Sequence, residues 1–199
     1  LPASDFAYFA DTAHVPYGTK SKKTVTRYSI ENVVFLLTHR VKAVVIACNS
    51  ASSLALPVLN KMFYTIPVID VVNPGVSAAL DATTKGRIGV IGTRATIASG
   101  MYQRLLKQAN PRVQVFQNVC PLFVSLVEEG WITGKIAHNI ADAYLSPLKK
   151  KKIDTLILGC THYPLLKKVI GEVLGNKVRL VDSGNATAEK VSDILGKNG

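Results

Sequence analysis

The feature that most constrains the fold is an alternation of short runs rich in β-branched and aliphatic residues with longer stretches of helical spacing. The predicted strands are residues 6–10, 43–47, 68–71, 87–91, 113–118, 155–158 and 179–181. The predicted helices are residues 22–38, 51–62, 74–82, 95–108, 122–129, 136–149, 164–174 and 186–195. Strands that alternate with helices in this way form βαβ units with parallel strands. The sequence therefore predicts an α/β fold.

Two turn-forming segments divide this pattern. They are Val-Val-Asn-Pro-Gly at residues 71–75 and Val-Asp-Ser-Gly at residues 181–184. If the chain crosses between lobes at both, residues 1–71 plus 183–199 form a first α/β lobe and residues 72–182 form a second. Because the sequence begins without methionine and enters a predicted strand almost at once, we expect an earlier part of the first lobe to be missing.

Composition and charge exclude several classes of protein. The net charge is +11, but apart from Lys149–Lys152 and a small group near Lys20 the basic residues are scattered without interleaved aromatic residues, so we expect no nucleic-acid site. No apolar run approaches the length of a membrane span, and no signal peptide is recognisable, so we expect a cytoplasmic protein. The three cysteines are far apart and are expected to be free thiols without a disulfide or zinc.

Two distant segments, residues 41–51 and 153–163, resemble each other. Each has an apolar strand, a small residue, a cysteine, two polar residues and then the start of a helix. This repetition predicts two halves related by approximate symmetry. Ligands bind beyond the carboxyl ends of strands in open α/β sheets, which is where Cys48 and Cys160 are expected. We also expect the helix N-terminus at each position to favour the thiolate.

Two cysteines that face each other across a cleft suit racemisation. In that reaction one group removes a proton from one face of a carbon atom and a second group delivers a proton to the opposite face. The alternative is that Cys48 and Cys160 are both small residues of a hydrophobic core. The polar residues that follow each cysteine favour the catalytic interpretation.

Five segments carry a resemblance to a known family. They are Asp-Thr-Ala at 11–13 with Pro-Tyr-Gly-Thr-Lys-Ser at 16–21, Ala-Cys-Asn-Ser-Ala at 47–51, Gly-Val-Ile-Gly-Thr at 89–93, Cys-Pro-Leu-Phe at 120–123 and Gly-Cys-Thr-His-Tyr-Pro at 159–164. In this order they resemble the glutamate racemase family, and the resemblance covers nearly the whole chain.

The resemblance implies an enzyme of two similar pseudo-symmetric lobes, each a mainly parallel sheet flanked by helices, with the active site between them. It implies a homodimer that interconverts L- and D-glutamate without pyridoxal phosphate, metal or other cofactor, and that supplies D-glutamate for peptidoglycan. Cys48 and Cys160 would be the acid/base residues, and His162 would assist Cys160. The implied substrate-binding residues are Tyr17, Gly18, Asn49, Ser50, Thr161, His162 and Glu128.

The sequence departs from the family pattern at its beginning. The family starts with a strand that ends in Asp-Ser-Gly-x-Gly-Gly, which is absent here, so we expect the chain as it stands to have impaired activity. Two alternatives stay open: a related aspartate or other amino-acid racemase, and a non-catalytic module that binds an amino acid.

Overall fold

Two parallel β-sheets surrounded by helices make up the fold, which is known from a computed structural model that describes residues 5–196. The strands are β1 (Val44–Ile46), β2 (Val68–Asp70), β3 (Arg87–Gly92), β4 (Gln114–Val119), β5 (Thr155–Gly159) and β6 (Arg179–Val181). The smaller sheet pairs β1 with β2, and the larger has the order β4-β3-β5-β6. Every pairing is parallel, which confirms the predicted α/β class.

The helices lie before, between and after the strands in sequence. They are α1 (Lys22–Thr38), α2 (Asn49–Met62), α3 (Val72–Ala82), α4 (Arg94–Ala98), α5 (Met101–Ala109), α6 (Leu122–Glu128), α7 (Gly134–Lys150), α8 (Lys167–Leu174) and α9 (Gly184–Gly196), with 3₁₀ turns at Tyr17–Thr19 and Tyr163–Leu166. None of the helices within residues 5–196 is both long and apolar enough to cross a membrane.

The centre of the larger sheet is buried on both faces. Every residue of β5 is buried, as expected for a central strand of a parallel sheet covered by helices on both sides. Val90 and Ile157 belong to the core on one face, and Ile91 and Leu158 belong to the core on the other. This packing fixes the carboxyl end of β5, which leads directly into Cys160.

The single helix predicted for residues 95–108 is wrong, because the structure divides it into α4 and α5. The division lies at Gly100, whose φ of 65° is in the left-handed region that glycine adopts easily. Ser99 supports the break: its hydroxyl donates to the carbonyl oxygen of Thr96 at 2.6 Å and accepts from the N–H of Met101 at 3.1 Å.

The strand predicted for residues 6–10 is also wrong, since this segment has no regular secondary structure. The side chains of Phe6 and Tyr8 are exposed, and no strand pairs with this segment in the described part of the chain. A strand requires a neighbour for its backbone N–H and C=O groups, and the apolar composition of residues 6–10 does not supply one.

Asp154, directly before β5, holds the loop between α3 and β3. Its carboxylate accepts hydrogen bonds from the Thr83 hydroxyl at 2.7 Å, the Thr84 N–H at 2.9 Å and the Lys85 N–H. Burial acts to raise the pKa of Asp154, but these hydrogen bonds outweigh it and hold the pKa below its ordinary value. The ionised carboxylate therefore stabilises the fold.

We expect Asp154→Asn to lower the free energy of unfolding at pH 7 by about 1–3 kcal/mol, because the amide leaves buried N–H donors poorly paired. The folded pKa lies below the unfolded value of about 3.9, so the stabilisation is complete above pH ~5 and is lost as the pH falls through the folded pKa. Urea unfolding at a series of pH values measures this. The exposed Asp81→Asn serves as the control and should change stability by less than about 0.5 kcal/mol. An equal loss for Asp154→Asn at pH 7 and pH 2 would contradict the assignment.

Candidate active site

The two cysteines occupy equivalent positions at the carboxyl ends of parallel strands, as the repeated segments predicted. Cys48 follows β1 and is the N-cap residue of α2, and Cys160 follows β5 and precedes the 3₁₀ turn that leads into α8. Cys48 is half-buried and Cys160 is buried, and both are free thiols. Each therefore stands at the strand-to-helix junction where α/β folds place their ligands.

Burial makes the thiol of Cys160 hard to ionise. It raises the pKa of Cys160 to about 12, although the N–H groups of His162 and Tyr163 and the Thr161 side chain act to lower it. A negative charge on Cys48 raises the pKa of Cys160 further, because two negative charges close together repel each other. The two sulfurs are thus close enough for the charge state of one to affect the other.

The pKa of Cys48 is also raised by burial, against the opposing effect of hydrogen bonds from the N–H groups of Ala51 and Ser50 and from the Ser50 side chain. The N–H groups that follow each cysteine favour the thiolate at both positions, as expected. Desolvation outweighs them, however, so the net shift of each thiol pKa is upward. Both residues are neutral thiols at pH 7 until a proton acceptor approaches.

Cys160 has such an acceptor beside it. Nδ1 of His162 lies 3.7 Å from Sγ of Cys160, and Nε2 of His162 lies 3.2 Å from Oε1 of Glu128. With Nδ1 as acceptor and Nε2 as donor, the imidazole can take the Cys160 proton while the Glu128 carboxylate stabilises the resulting positive charge. Glu128 is thus placed at the site by its contact with His162.

The two halves differ at this point. Ser50 occupies the position relative to Cys48 that His162 occupies relative to Cys160. The hydroxyl of Ser50 contacts Thr93 Oγ1 at 2.9 Å and Thr96 Oγ1 at 3.2 Å. A neutral hydroxyl group therefore stands beside one cysteine and an ionisable imidazole beside the other.

The turn at Tyr17–Thr19 lies against this hydroxyl group. A Cβ added to Gly18 would lie 2.6 Å from the Cβ of Thr93, so only glycine allows the turn to approach so closely. Thr93 also begins α4, because its Oγ1 accepts from the N–H of Thr96 at 3.2 Å. The structure thus brings Gly18 and Ser50 together through Thr93.

Tyr17 is held by polar side chains from the N-terminal part of the chain. Its hydroxyl donates to the carboxylate of Asp11 and accepts from Nδ2 of Asn32 at 3.1 Å, and Asp11 also binds Nδ1 of His14 at 2.7 Å. Burial and the bond to Asp11 raise the pKa of Tyr17, so its phenol stays protonated. Tyr17 lies near enough to Cys48 for the thiolate charge to contribute to this effect.

A cavity of about 600 Å³ opens beside Cys160. Its lining includes Asn49, Cys160 and Thr161, three of the predicted site residues. Cys48 is not among the described residues that line it, although its neighbours Ala47 and Asn49 are. The cavity therefore touches both cysteine segments and exposes one of the two thiols directly.

The structure adds residues that the sequence reasoning did not select. Thr93 is the last residue of the Gly-Val-Ile-Gly-Thr segment and follows β3 directly. Its place at the carboxyl end of a strand is a sequence signal that could have identified it. Tyr102 is different: it is fully buried on α5, and its hydroxyl donates to Oδ1 of Asn49 at 2.6 Å. No local pattern in the sequence indicates that contact.

Comparison with known proteins identifies the family of the chain. Residues 4–191 match the Asp/Glu/hydantoin racemase family. The glutamate racemase of Geobacter metallireducens is 53% identical over 195 residues, which cover 98% of this chain and 72% of that protein. The glutamate racemase of Persephonella marina is 50% identical over 188 residues, which cover 94% of this chain and 71% of that protein.

Solved structures show the same relationship. Glutamate racemase from Francisella tularensis, determined in complex with D-glutamate, superposes with a TM-score of 0.93 at 41% identity and covers all of this chain and 73% of its own. Aspartate racemase from Picrophilus torridus has a TM-score of 0.60 at 18% identity, covering 86% of this chain and 69% of its own, which shows the fold alone. The chain belongs to the Asp/Glu/hydantoin racemase family, among its glutamate racemases.

Proposed function

We propose that this chain racemises glutamate by proton transfer between Cys48 and Cys160. The observation that carries the proposal is the pair of thiols at equivalent strand ends, with Cys48 near enough for its charge to raise the pKa of Cys160. Glutamate as the substrate is supported by the relatives named glutamate racemase and by the solved complex of one of them with D-glutamate.

In the proposed reaction, the thiolate of one cysteine removes the α-proton of glutamate, and the thiol of the other donates a proton to the opposite face. The reverse reaction exchanges these roles, so each cysteine is the base for one enantiomer. His162 assists Cys160 by accepting its proton, and Glu128 supports the imidazolium. The side chains of Asn49, Ser50 and Thr161, with Tyr17 and Gly18, bind the carboxylates and the ammonium group.

No cofactor is required by this scheme, because both the base and the acid are side chains of the chain itself. The proposal includes a homodimer in the cytoplasm that supplies D-glutamate for peptidoglycan. The homodimer, the location and the role in peptidoglycan supply are supported by the similarity of this chain to the glutamate racemases.

Turnover of L-glutamate in deuterated water tests the proposal. A two-base reaction places solvent deuterium in the D-glutamate product from the first turnovers, while recovered L-glutamate stays unlabelled at early times. Mass spectrometry of the separated enantiomers measures this. Label in both enantiomers at equal early rates would indicate a single base, and binding of glutamate without any exchange would indicate a binding module. Faster turnover of L-aspartate in a parallel assay would favour the related aspartate racemase.

A further inference from the structure

Tyr102 connects the two cysteine segments from inside the core. It lies on α5 and is only 1% exposed. Its hydroxyl donates to Oδ1 of Asn49, the residue directly after Cys48. A Cβ added to Gly159, the residue directly before Cys160, would lie 3.2 Å from Cε2 of Tyr102. One buried ring therefore contacts both segments.

The hydrogen bond fixes which way the amide of Asn49 points. Burial raises the pKa of Tyr102 well above its ordinary value, so the phenol is protonated and needs an acceptor for its proton. Asn49 provides that acceptor with Oδ1, at 2.6 Å. The NH₂ group of Asn49 is then directed away from Tyr102, and Asn49 lines the cavity beside Cys160. An NH₂ group is the half of the amide that can bind a carboxylate.

The backbone beside Tyr102 is shaped to admit the ring. Besides Gly159, a Cβ added to Gly75 would lie 3.5 Å from the Tyr102 hydroxyl oxygen. Neither position carries a side chain that would keep the ring away from the main chain of α3 and β5. The ring thus lies between the main chain before Cys160 and the amide after Cys48.

We propose that Tyr102 is a positioning residue for the substrate, acting through Asn49: its hydroxyl directs the Asn49 NH₂ group towards a substrate carboxylate. This inference rests on the proposed function of the chain. It assigns a role to a residue that lies outside the predicted site.

Tyr102→Phe tests the proposal, because phenylalanine keeps the ring against Gly159 and removes only the hydroxyl. We expect KM for glutamate to rise about tenfold, since a misdirected amide loses one substrate contact of about 1.4 kcal/mol. We expect kcat to change little, because the ring still spaces the two segments. Steady-state racemisation measures both constants, and calorimetric titration with D-glutamate should show the same tenfold loss of affinity.

Two further variants make the result specific. Tyr144→Phe removes a hydroxyl that accepts from the N–H of Leu122 at 3.4 Å, and it should leave KM and kcat unchanged. Asn49→Ala should raise KM by itself, and adding Tyr102→Phe to it should have no further effect if Tyr102 acts through Asn49. If the rise in KM of the double variant were the product of the two single rises, the proposal would be overturned.

Other outcomes are equally clear. The hydroxyl would be only structural if Tyr102→Phe kept the KM of the unaltered chain. The same conclusion would follow if kcat and the urea midpoint fell while KM stayed unchanged. If the unaltered chain binds D-glutamate without racemising it, the proposed function fails. In that case the ratio of the D-glutamate affinities of Tyr102→Phe and the unaltered chain would still decide the role of Tyr102. If Tyr102→Phe does not fold, Asn49→Asp tests the same idea, since an acceptor in place of the NH₂ group should weaken binding at least as much.

Discussion

Replacement of either Cys48 or Cys160 by serine is expected to lower the rate of glutamate racemisation by about 10²- to 10⁴-fold, the usual contribution of a general acid or base. A serine hydroxyl is far harder to ionise than a thiol, and burial already raises the pKa of both cysteines. Each turnover uses both groups, so the loss of either one should abolish most of the activity. The rate at which the circular dichroism of L- or D-glutamate decays towards zero measures the racemisation.

The two variants should differ in the exchange that remains. The thiol left in each variant faces one side of the substrate, so in deuterated water each variant should exchange the α-hydrogen of a single enantiomer, and the two should act on opposite enantiomers. Cys120→Ala is the matched control, since Cys120 is fully buried in the core and should affect stability but not turnover. Full activity in either serine variant, or exchange of the same enantiomer by both, would reject the two-base scheme.

Local patterns predicted the parts of the site that depend on local structure. An apolar run, a small residue and a cysteine before a helix suffice to place Cys160 directly after β5 and Cys48 at the start of α2. The resemblance to the family placed Glu128 among the substrate-binding residues, which stays a prediction; its contact with His162 was not predicted and comes from the structure. The division into residues 1–71 plus 183–199 and residues 72–182 stays a prediction.

Properties that depend on tertiary packing were not predictable from the sequence. The sign of the thiol pKa shifts depends on how deeply each sulfur is buried, which the sequence pattern does not specify. The bond from Tyr102 to Asn49 joins two helices distant in sequence, and helical spacing alone marks Tyr102 as an ordinary core residue. The break at Gly100 depends on a single backbone conformation within an otherwise helical stretch.

Gly159→Ala is expected to destabilise the fold by about 3 kcal/mol or more, at the upper end for added volume in a packed core. The new Cβ would lie 2.6 Å from the carbonyl oxygen of Ile91, on the neighbouring strand β3. That oxygen belongs to the central strand pair of the larger sheet, so it cannot retreat without separating β3 from β5. For a chain of this size, the melting temperature should fall by about 6–12 °C, which calorimetry measures.

Gly171→Ala separates this steric effect from the general effect of adding a methyl group. Gly171 lies within α8, and a Cβ added there meets no atom within 4 Å. Alanine in a helix should therefore raise stability by about 0.5–1 kcal/mol, because it restricts the unfolded chain. A lower melting temperature for Gly159→Ala and a higher one for Gly171→Ala would show that the close approach of β3 requires glycine at position 159. Similar melting temperatures for Gly159→Ala and the unaltered chain would mean that the carboxyl end of β5, and with it Cys160, is less tightly fixed than the strand pairing indicates.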